Sequence, residues 1–112
     1  MISAVFKANI TKEIIALEIS GHAMSGPHGY DIVCAGVSAV VISTVNNLSR
    51  LGKIDPILET DDREGGYLYL ELPDDLSDQQ IALSQMLLQA CYYALKDDIQ
   101  TEYPQSLRVS LA

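Results

Sequence analysis

The chain has 112 residues, of which 48% are hydrophobic and 20% are charged. This length and composition indicate one compact domain, residues 1–112, and argue against a disordered chain. The 15 acidic residues against 7 basic ones give a formal net charge of −8, which disfavours nucleic acid as a partner because its phosphates would be repelled. A basic partner is compatible with this negative charge. Solubility alone would explain the charge equally well.

The first residues show no charged start followed by a long apolar run, and polar residues interrupt every stretch of about 18 residues. We therefore expect no membrane association and a cytoplasmic location. Cytosolic thiols are kept reduced, so Cys34 and Cys91 are expected to be free rather than paired.

The first predicted elements are two strands, residues 2–9 and 13–20, which alternate apolar and polar side chains with a period of two. The short link between them predicts an antiparallel hairpin. In the second strand the alternation places Ile15, Leu17 and Ile19 on the buried face.

Residues 21–30 contain three glycines and one proline, a composition typical of a loop. Apolar residues then recur at spacings of three and four over residues 33–51 and predict a helix, with Gly52 as its C-cap. Residues 54–60 and 67–72 predict a second hairpin.

Ser77 and Gln80 match a capping box and predict the start of a second helix, whose apolar positions include Met86 and Cys91. Pro104 prevents this helix from continuing, and residues 107–111 alternate as a last strand. The order ββαββαβ predicts an α+β fold with a single mixed, mostly antiparallel sheet and two helices packed on one face.

Cys34 is the candidate nucleophile, because it stands where the glycine-containing loop leads into the first helix. A thiol with its ordinary pKa of about 8.5 is only a few per cent thiolate at neutral pH. A helix N-terminus favours an anion by about 0.3–1 kcal/mol. This is less than one pKa unit, which corresponds to about 1.36 kcal/mol. A neighbouring cation is therefore needed.

His22 can supply that cation, because it follows the second strand and eleven residues separate it from Cys34. An imidazolium beside a thiolate activates many cysteine hydrolases, and the histidine then protonates the leaving group. Backbone N–H groups around Cys34, Ala35 and Gly36 are the predicted oxyanion donors. The small side chains of Ala35 and Gly36 leave room for substrate.

Each of these residues also has a purely structural interpretation. Cys34 could be a small core residue, and Cys91, among apolar helix positions, is predicted to be one. Asp31 could cap the helix, orient His22, or do both. His28 is interpreted as a solvated loop residue.

A metal site is the main chemical alternative, since His22, His28, Asp31 and Cys34 are all possible ligands. Their spacing fits no standard zinc pattern, and the chain has no Cys-x-x-Cys motif. We therefore predict that the site uses no metal and no other cofactor.

Residues 21–23, Gly-His-Ala, and 29–39, Gly-Tyr-Asp-Ile-Val-Cys-Ala-Gly-Val-Ser-Ala, closely resemble the signature of the ribosomal-processing cysteine protease family, Prp. The resemblance extends to the chain length and the element order. It implies that Cys34 is the nucleophile, His22 the catalytic histidine and Asp31 an assisting aspartate. Gly21 of the motif joins Ala35 and Gly36 as a candidate for substrate binding or the oxyanion site.

The same resemblance implies a function. Members of the family are homodimers that remove a short N-terminal extension from the precursor of a bacterial large-subunit ribosomal protein. A ribosome-associated peptide-binding factor without catalysis is the alternative from another class, and an esterase or amidase acting on small molecules would use the same residues. We also predict that the loop over residues 22–33 is mobile until substrate orders it, because its glycines leave little to bury.

Overall fold

The computed structural model describes residues 1–21, 30–61 and 66–112, without the side chains of Tyr30 and Asp31. The predicted order ββαββαβ is confirmed. The elements are β1 (Ile2–Ala8), β2 (Ile14–Ser20), α1 (Tyr30–Gly52), β3 (Ile57–Thr60), β4 (Tyr67–Glu71), α2 (Asp78–Tyr93), a π-helical segment (Ala94–Gln100) and β5 (Leu107–Leu111).

The five strands form one sheet in the order β3-β4-β2-β1-β5. β1 pairs with β5 in parallel, and the other neighbours are antiparallel, so the predicted mixed, mostly antiparallel sheet is confirmed. Both predicted hairpins form. Phe6 lies opposite Leu17, and Leu17 lies opposite Leu70, which places three fully buried side chains in a row across the sheet centre.

A β-bulge interrupts the first hairpin. Ala8 pairs with Ile14 while Lys7 pairs with Ala16, so Ile15 is the extra residue. Ile14 is buried and Ile15 is 37% exposed. The prediction that Ile15 lies on the buried face is wrong, because the bulge shifts the alternation and turns its side chain outward.

The hydrophobic core lies between one face of the sheet and the two helices, as predicted. The phenol ring of Tyr92 meets the ring of the fully buried Phe6 edge-on, with 5.1 Å between centroids. Side chains from every layer contribute to the core: Ile2, Ala4, Phe6, Leu17, Val33, Val37, Val41, Leu48, Leu70, Leu88, Cys91, Leu95 and Leu107.

Helix α1 begins at Tyr30, three residues earlier than predicted. Asp31 is therefore the second helical residue and not the N-cap, which corrects one interpretation of it. At the other end α1 ends at Gly52, as predicted, but the left-handed backbone belongs to the following residue, Lys53, with φ of 51°. The glycine at position 52 also serves packing, since a Cβ there would lie 2.9 Å from Cδ2 of Leu83 in α2.

The third strand is shorter than predicted, because Pro56 precedes it and cannot donate to a strand ladder. Ile54, predicted to open the strand, is instead buried in the core. The capping box of α2 is confirmed. Ser77 N–H donates to Oε1 of Gln80 at 2.9 Å, and Gln80 N–H donates to Oγ of Ser77 at 3.2 Å.

The residues Ile32–Gly52 of α1 form a helix long and apolar enough, by length and composition alone, to cross a membrane, with a mean hydropathy of 1.6. Because polar residues interrupt this stretch, the sequence predicts no membrane-spanning segment here. Core helices of soluble proteins pass the same test, and Val33 and Val41 of α1 are indeed buried in the core.

Candidate active site

A cavity of about 240 Å³ lies where the end of β2 meets the N-terminal half of α1. Most of its surface is apolar. Its walls include Cys34, Val37 and Val41 of α1, Ile19 and Gly21 at the end of β2, and Leu68 of β4. A peptide side chain that enters it would therefore meet mainly hydrocarbon, with one thiol at the wall.

Cys34 is a free, half-buried thiol that lines this cavity and packs against the core. Cys91 is also a free thiol, but it lies within the core. It is 2% exposed, and burial raises its pKa to about 11 even though a hydrogen bond with Thr44 acts in the opposite direction. The prediction that Cys91 is a core residue is confirmed, and it leaves Cys34 as the thiol with access to a ligand.

The start of α1 at Tyr30 places Cys34 in the second turn of the helix, and not in the first turn as predicted. In an α-helix only the first four N–H groups lack a carbonyl partner one turn earlier. The amides of Ala35 and Gly36 fall beyond those four. This geometry does not favour their predicted role as oxyanion donors, although both side chains are small enough to leave the helix surface open.

Gly21, the third candidate for the oxyanion or substrate site, lines the cavity. Its φ of 97° is in the left-handed region, and a Cβ there would collide with the carbonyl oxygen of Met1, so only glycine fits. Within the described part of the chain, no hydrogen-bond partner accepts from its N–H. Gly21 lines the same cavity as the Cys34 thiol, so its N–H is a candidate oxyanion donor.

Several predicted site residues lie outside the described residues. These are His22 and His28, within residues 22–29, and the side chain of Asp31. The predicted mobility of the loop falls largely on the same segment. Among the residues that the structure describes, no group of His, Cys, Asp or Glu side chains could hold a metal ion. Gly21, the residue before His22, is at the cavity.

Sequence reasoning missed part of the cavity wall. Ser38 and Ile42 line it and follow Cys34 at intervals of four residues, a spacing that places all three on one side of α1 and could have identified them. Leu68 also lines the cavity, but its position depends on β4 pairing with β2, which no local pattern reveals.

Tyr67 also lines the cavity, but its hydroxyl is engaged elsewhere. The hydroxyl donates to Oε2 of Glu18 at 3.0 Å. This hydrogen bond raises the pKa of Tyr67, so the phenol stays protonated and engaged on the outer face of the sheet. Tyr67 is therefore not a candidate proton donor for the site.

Residues 1–108 match the sequence model of a family described as cysteine protease Prp. The chain belongs to this family. It is therefore a cysteine protease, a hydrolase, and the thiol at the cavity fits that chemistry. The match covers all the described elements around Cys34, which agrees with the resemblance seen in residues 21–23 and 29–39.

Two similar proteins carry the name of the same family. The ribosomal processing cysteine protease Prp of Bacillus subtilis (strain 168) is 36% identical over 110 residues, 98% of this chain and 96% of the relative. The protein of the same name from Staphylococcus aureus (strain Mu50 / ATCC 700699) is 32% identical over 110 residues, 98% of each chain.

Solved structures confirm the fold of this Prp family member. The crystal structure of the S. aureus ribosomal processing protease Prp with a substrate peptide superimposes with a TM-score of 0.85 at 29% identity, covering 100% of both chains. The same protease with a covalently linked product peptide gives 0.84 at 31%, again over 100% of both chains. SMU.848 from Streptococcus mutans gives 0.85 at 29% over 99% of this chain and 93% of that one.

Proposed function

We propose that the chain is a cytoplasmic endopeptidase that removes the N-terminal extension of a bacterial large-subunit ribosomal protein precursor. Cys34 is the nucleophile and His22 the base of a catalytic dyad within one protease domain, residues 1–112. The observation that carries this proposal is the free thiol of Cys34 at an apolar cavity whose wall also includes Gly21, the residue that His22 follows.

The reaction divides into two steps. His22 takes the proton of the Cys34 thiol, and the thiolate attacks the scissile carbonyl carbon. The imidazolium then protonates the leaving amine, which leaves a thioester that water hydrolyses. No metal or cofactor is required. The covalently linked product peptide in the S. aureus relative is in keeping with such a step.

The remaining predicted residues have supporting roles. The Gly21 N–H, free within the described part of the chain, is the proposed oxyanion donor. Ala35 and Gly36 leave space for the peptide beside the thiol. Asp31 lies three positions before Cys34 in α1, a spacing that brings side chains to one side of a helix, and there it can orient the imidazolium of His22.

The cavity also suggests what the peptide presents to the enzyme. Its walls are formed by side chains such as Ile19, Val37 and Leu68, so it accommodates an apolar residue next to the scissile bond. Burial of that residue holds the scissile carbonyl carbon near the thiol. Part of the free energy of peptide binding thereby serves to orient the two reacting groups. The names of the relatives support a ribosomal protein as the substrate.

A non-catalytic, ribosome-associated peptide-binding factor is the alternative, because the same cavity could hold a peptide without cleaving it. Incubation of the wild-type chain and of Cys34→Ala with a purified, N-terminally extended precursor distinguishes the two. We expect a shortened product with the wild type alone, and binding without shortening with Cys34→Ala. Binding without shortening by both proteins would favour the alternative.

A further inference from the structure

The outer side of the sheet carries a group of carboxylates around one tyrosine. Both helices pack on the other side, so within the described part of the chain no helix covers it. Tyr69 of β4 lies directly opposite Glu18 of β2 and Glu59 of β3. Glu71 follows on the same side of β4 and accepts a hydrogen bond from the Tyr69 hydroxyl at 2.6 Å. We call these four residues, together with Tyr67, the acidic sheet face.

The acidic sheet face already holds one cation of the chain itself. Nζ of Lys7 in β1 lies 5.4 Å from the centre of the Tyr69 ring. Arg108 is the other basic residue in a described strand, and it lies in the edge strand β5, two strands away from Glu18. The three carboxylates of the face thus exceed the one ammonium group placed on it, and the face keeps a negative charge.

A second cavity, of about 320 Å³, continues the acidic sheet face at the end of the sheet away from Cys34. Glu71 belongs to both, and Glu13 and Asp74 add two more carboxylates to the cavity wall. Ile15, which the β-bulge turns outward, lines the wall beside them. Hydrocarbon next to carboxylate suits a lysine or arginine side chain, because its stem is apolar and its end is cationic.

We propose that the acidic sheet face and the cavity at its end bind basic side chains of the mature part of the ribosomal protein precursor, away from the bond that is cleaved. This inference rests on the proposed function and adds a second contact with the same substrate. A ribosomal protein binds RNA phosphates through lysine and arginine, so its mature part is basic. The net charge of −8 complements such a partner, and complementary charge speeds the encounter as well as favouring the complex.

The acidic sheet face begins at the wall of the active-site cavity. Tyr67 lines the cavity of Cys34, and its hydroxyl donates to Glu18. Glu71 follows four residues after Tyr67 in β4, about 14 Å along the strand. An extended peptide advances by about 3.3–3.6 Å per residue, so four or five residues span this distance. Because the extension is N-terminal, every residue after the scissile bond belongs to the mature protein.

The two cavities differ in what they select. None of the described residues that line the cavity of Cys34 is charged. That cavity accommodates an apolar residue, but it does not distinguish a basic protein from any other protein with an apolar segment. The acidic sheet face supplies this distinction, since binding there requires lysine or arginine on the partner.

Steady-state cleavage of two substrates tests the inference: the full precursor, and a peptide that spans the cleavage site and contains no lysine or arginine. Glu59→Gln with Glu71→Gln removes two charges and keeps an acceptor for the Tyr69 hydroxyl. The matched control, Asp97→Asn with Glu102→Gln, removes two charges from exposed residues in and after the π-helical segment. We expect the KM for the precursor to rise about three- to tenfold in the first double variant alone, with kcat unchanged. The KM for the peptide should be the same in all three proteins.

Two further measurements use the same proteins. Added salt screens exposed charge pairs, so it should raise the KM for the precursor more in the wild type than in the Glu59→Gln, Glu71→Gln variant. The mature ribosomal protein, without its extension, should compete with the precursor in the wild type and in the control, and less in that variant. Circular dichroism shows whether each variant is folded.

Several outcomes would overturn the inference. An unchanged KM for the precursor in the Glu59→Gln, Glu71→Gln variant would do so and leave the proposed function intact. An equal rise in the control would assign the effect to total charge, and a rise for the peptide would assign it to the cavity of Cys34. A wild-type KM that EDTA raises as much would assign the carboxylates to a metal ion. A wild type that cleaves neither substrate would overturn the proposed function, and with it the substrate of this inference.

Discussion

Cys34 and Gly21 line one cavity, although residues 22–33 separate them in the chain. Helix α1 carries the thiol of Cys34, and the end of β2 leads into Gly21. The backbone of Gly21 has a conformation that only glycine adopts without strain. The described part of the fold thus brings a candidate nucleophile and a candidate oxyanion donor to the same cavity.

The two cysteines should differ in reactivity. Brief treatment with iodoacetamide near neutral pH should label Cys34, which is half-buried at the cavity, and spare Cys91, whose burial raises its pKa to about 11. Peptide mapping by mass spectrometry identifies the labelled residue. Equal labelling of both residues, or labelling of Cys91 alone, would remove Cys34 as the candidate nucleophile.

Replacement of His22 by alanine should lower the cleavage rate by about 10²–10⁴, because the base and proton donor are lost together. Asp31→Asn should lower it less, since an asparagine keeps the hydrogen-bonding shape and loses only the charge. Turnover of the precursor, measured at saturating substrate, compares the two. If Asp31→Asn lost as much as His22→Ala, Asp31 would be as essential as the histidine.

Gly21→Ala and Gly36→Ala form a matched pair. The first should cost about 1–2 kcal/mol for the left-handed backbone and more for the collision with Met1, and it should depress cleavage by moving the Gly21 N–H. The second should gain up to about 1 kcal/mol from helix propensity, because its Cβ meets Cδ1 of Ile99 at an ordinary 3.7 Å. Urea unfolding and cleavage rates measure both.

Each variant of this pair has its own outcome that would contradict the prediction. Full activity in a destabilised Gly21→Ala would argue against its N–H as the oxyanion donor, because the collision with Met1 displaces the backbone there. Loss of activity in a stably folded Gly36→Ala would show that the substrate needs the space at Gly36, since the backbone N–H is unchanged by the substitution.

Alkaline pH should weaken the fold through Cys91. In the folded chain its pKa is raised to about 11 by burial, whereas the unfolded thiol ionises near 9.0. Between these values the unfolded state binds fewer protons, so the stabilisation is complete below about pH 9 and is lost as the pH rises toward 11. Hydrogen bonding to Glu71 raises the pKa of Tyr69 to about 12 and acts in the same direction.

Urea unfolding of the wild type and of Cys91→Ala at pH 8 and pH 10 isolates this contribution. The advantage of the wild type should shrink by about 1 kcal/mol between the two pH values. Cleavage by Cys91→Ala should be preserved, because Cys91 is in the core and away from the cavity. A constant difference between the two proteins would show that Cys91 ionises alike in the folded and unfolded states.

Much of the fold follows from local patterns. The buried positions of Phe6 and Leu17 and the capping box at Ser77 each depend on neighbours in the chain, and these features were predicted correctly. The bulge at Ile15 was not predictable, because it becomes visible only when two strands are aligned. The parallel pairing of β5 with β1 and the π-helical segment after α2 likewise depend on tertiary packing.

The candidate site likewise has parts that local sequence patterns predict and parts that depend on tertiary packing. The identity of Cys34 came from a short motif, whereas the cavity beside it needs Leu68 from a distant strand. The predicted oxyanion donors Ala35 and Gly36 depended on where the helix begins, and helix ends are the least certain part of a pattern. Gly21 is a candidate site residue because it belongs to the family motif. Its left-handed backbone conformation is a physical reason for a glycine at this position.

Acid-quenched intact-mass spectrometry of the enzyme during cleavage of the ribosomal precursor tests the nucleophile most directly. The account predicts a transient adduct that carries the N-terminal extension as a thioester on Cys34, together with the shortened precursor, and neither species with Cys34→Ala. Precursor shortening that persists in Cys34→Ala, or an adduct that maps to a residue other than Cys34, would contradict it.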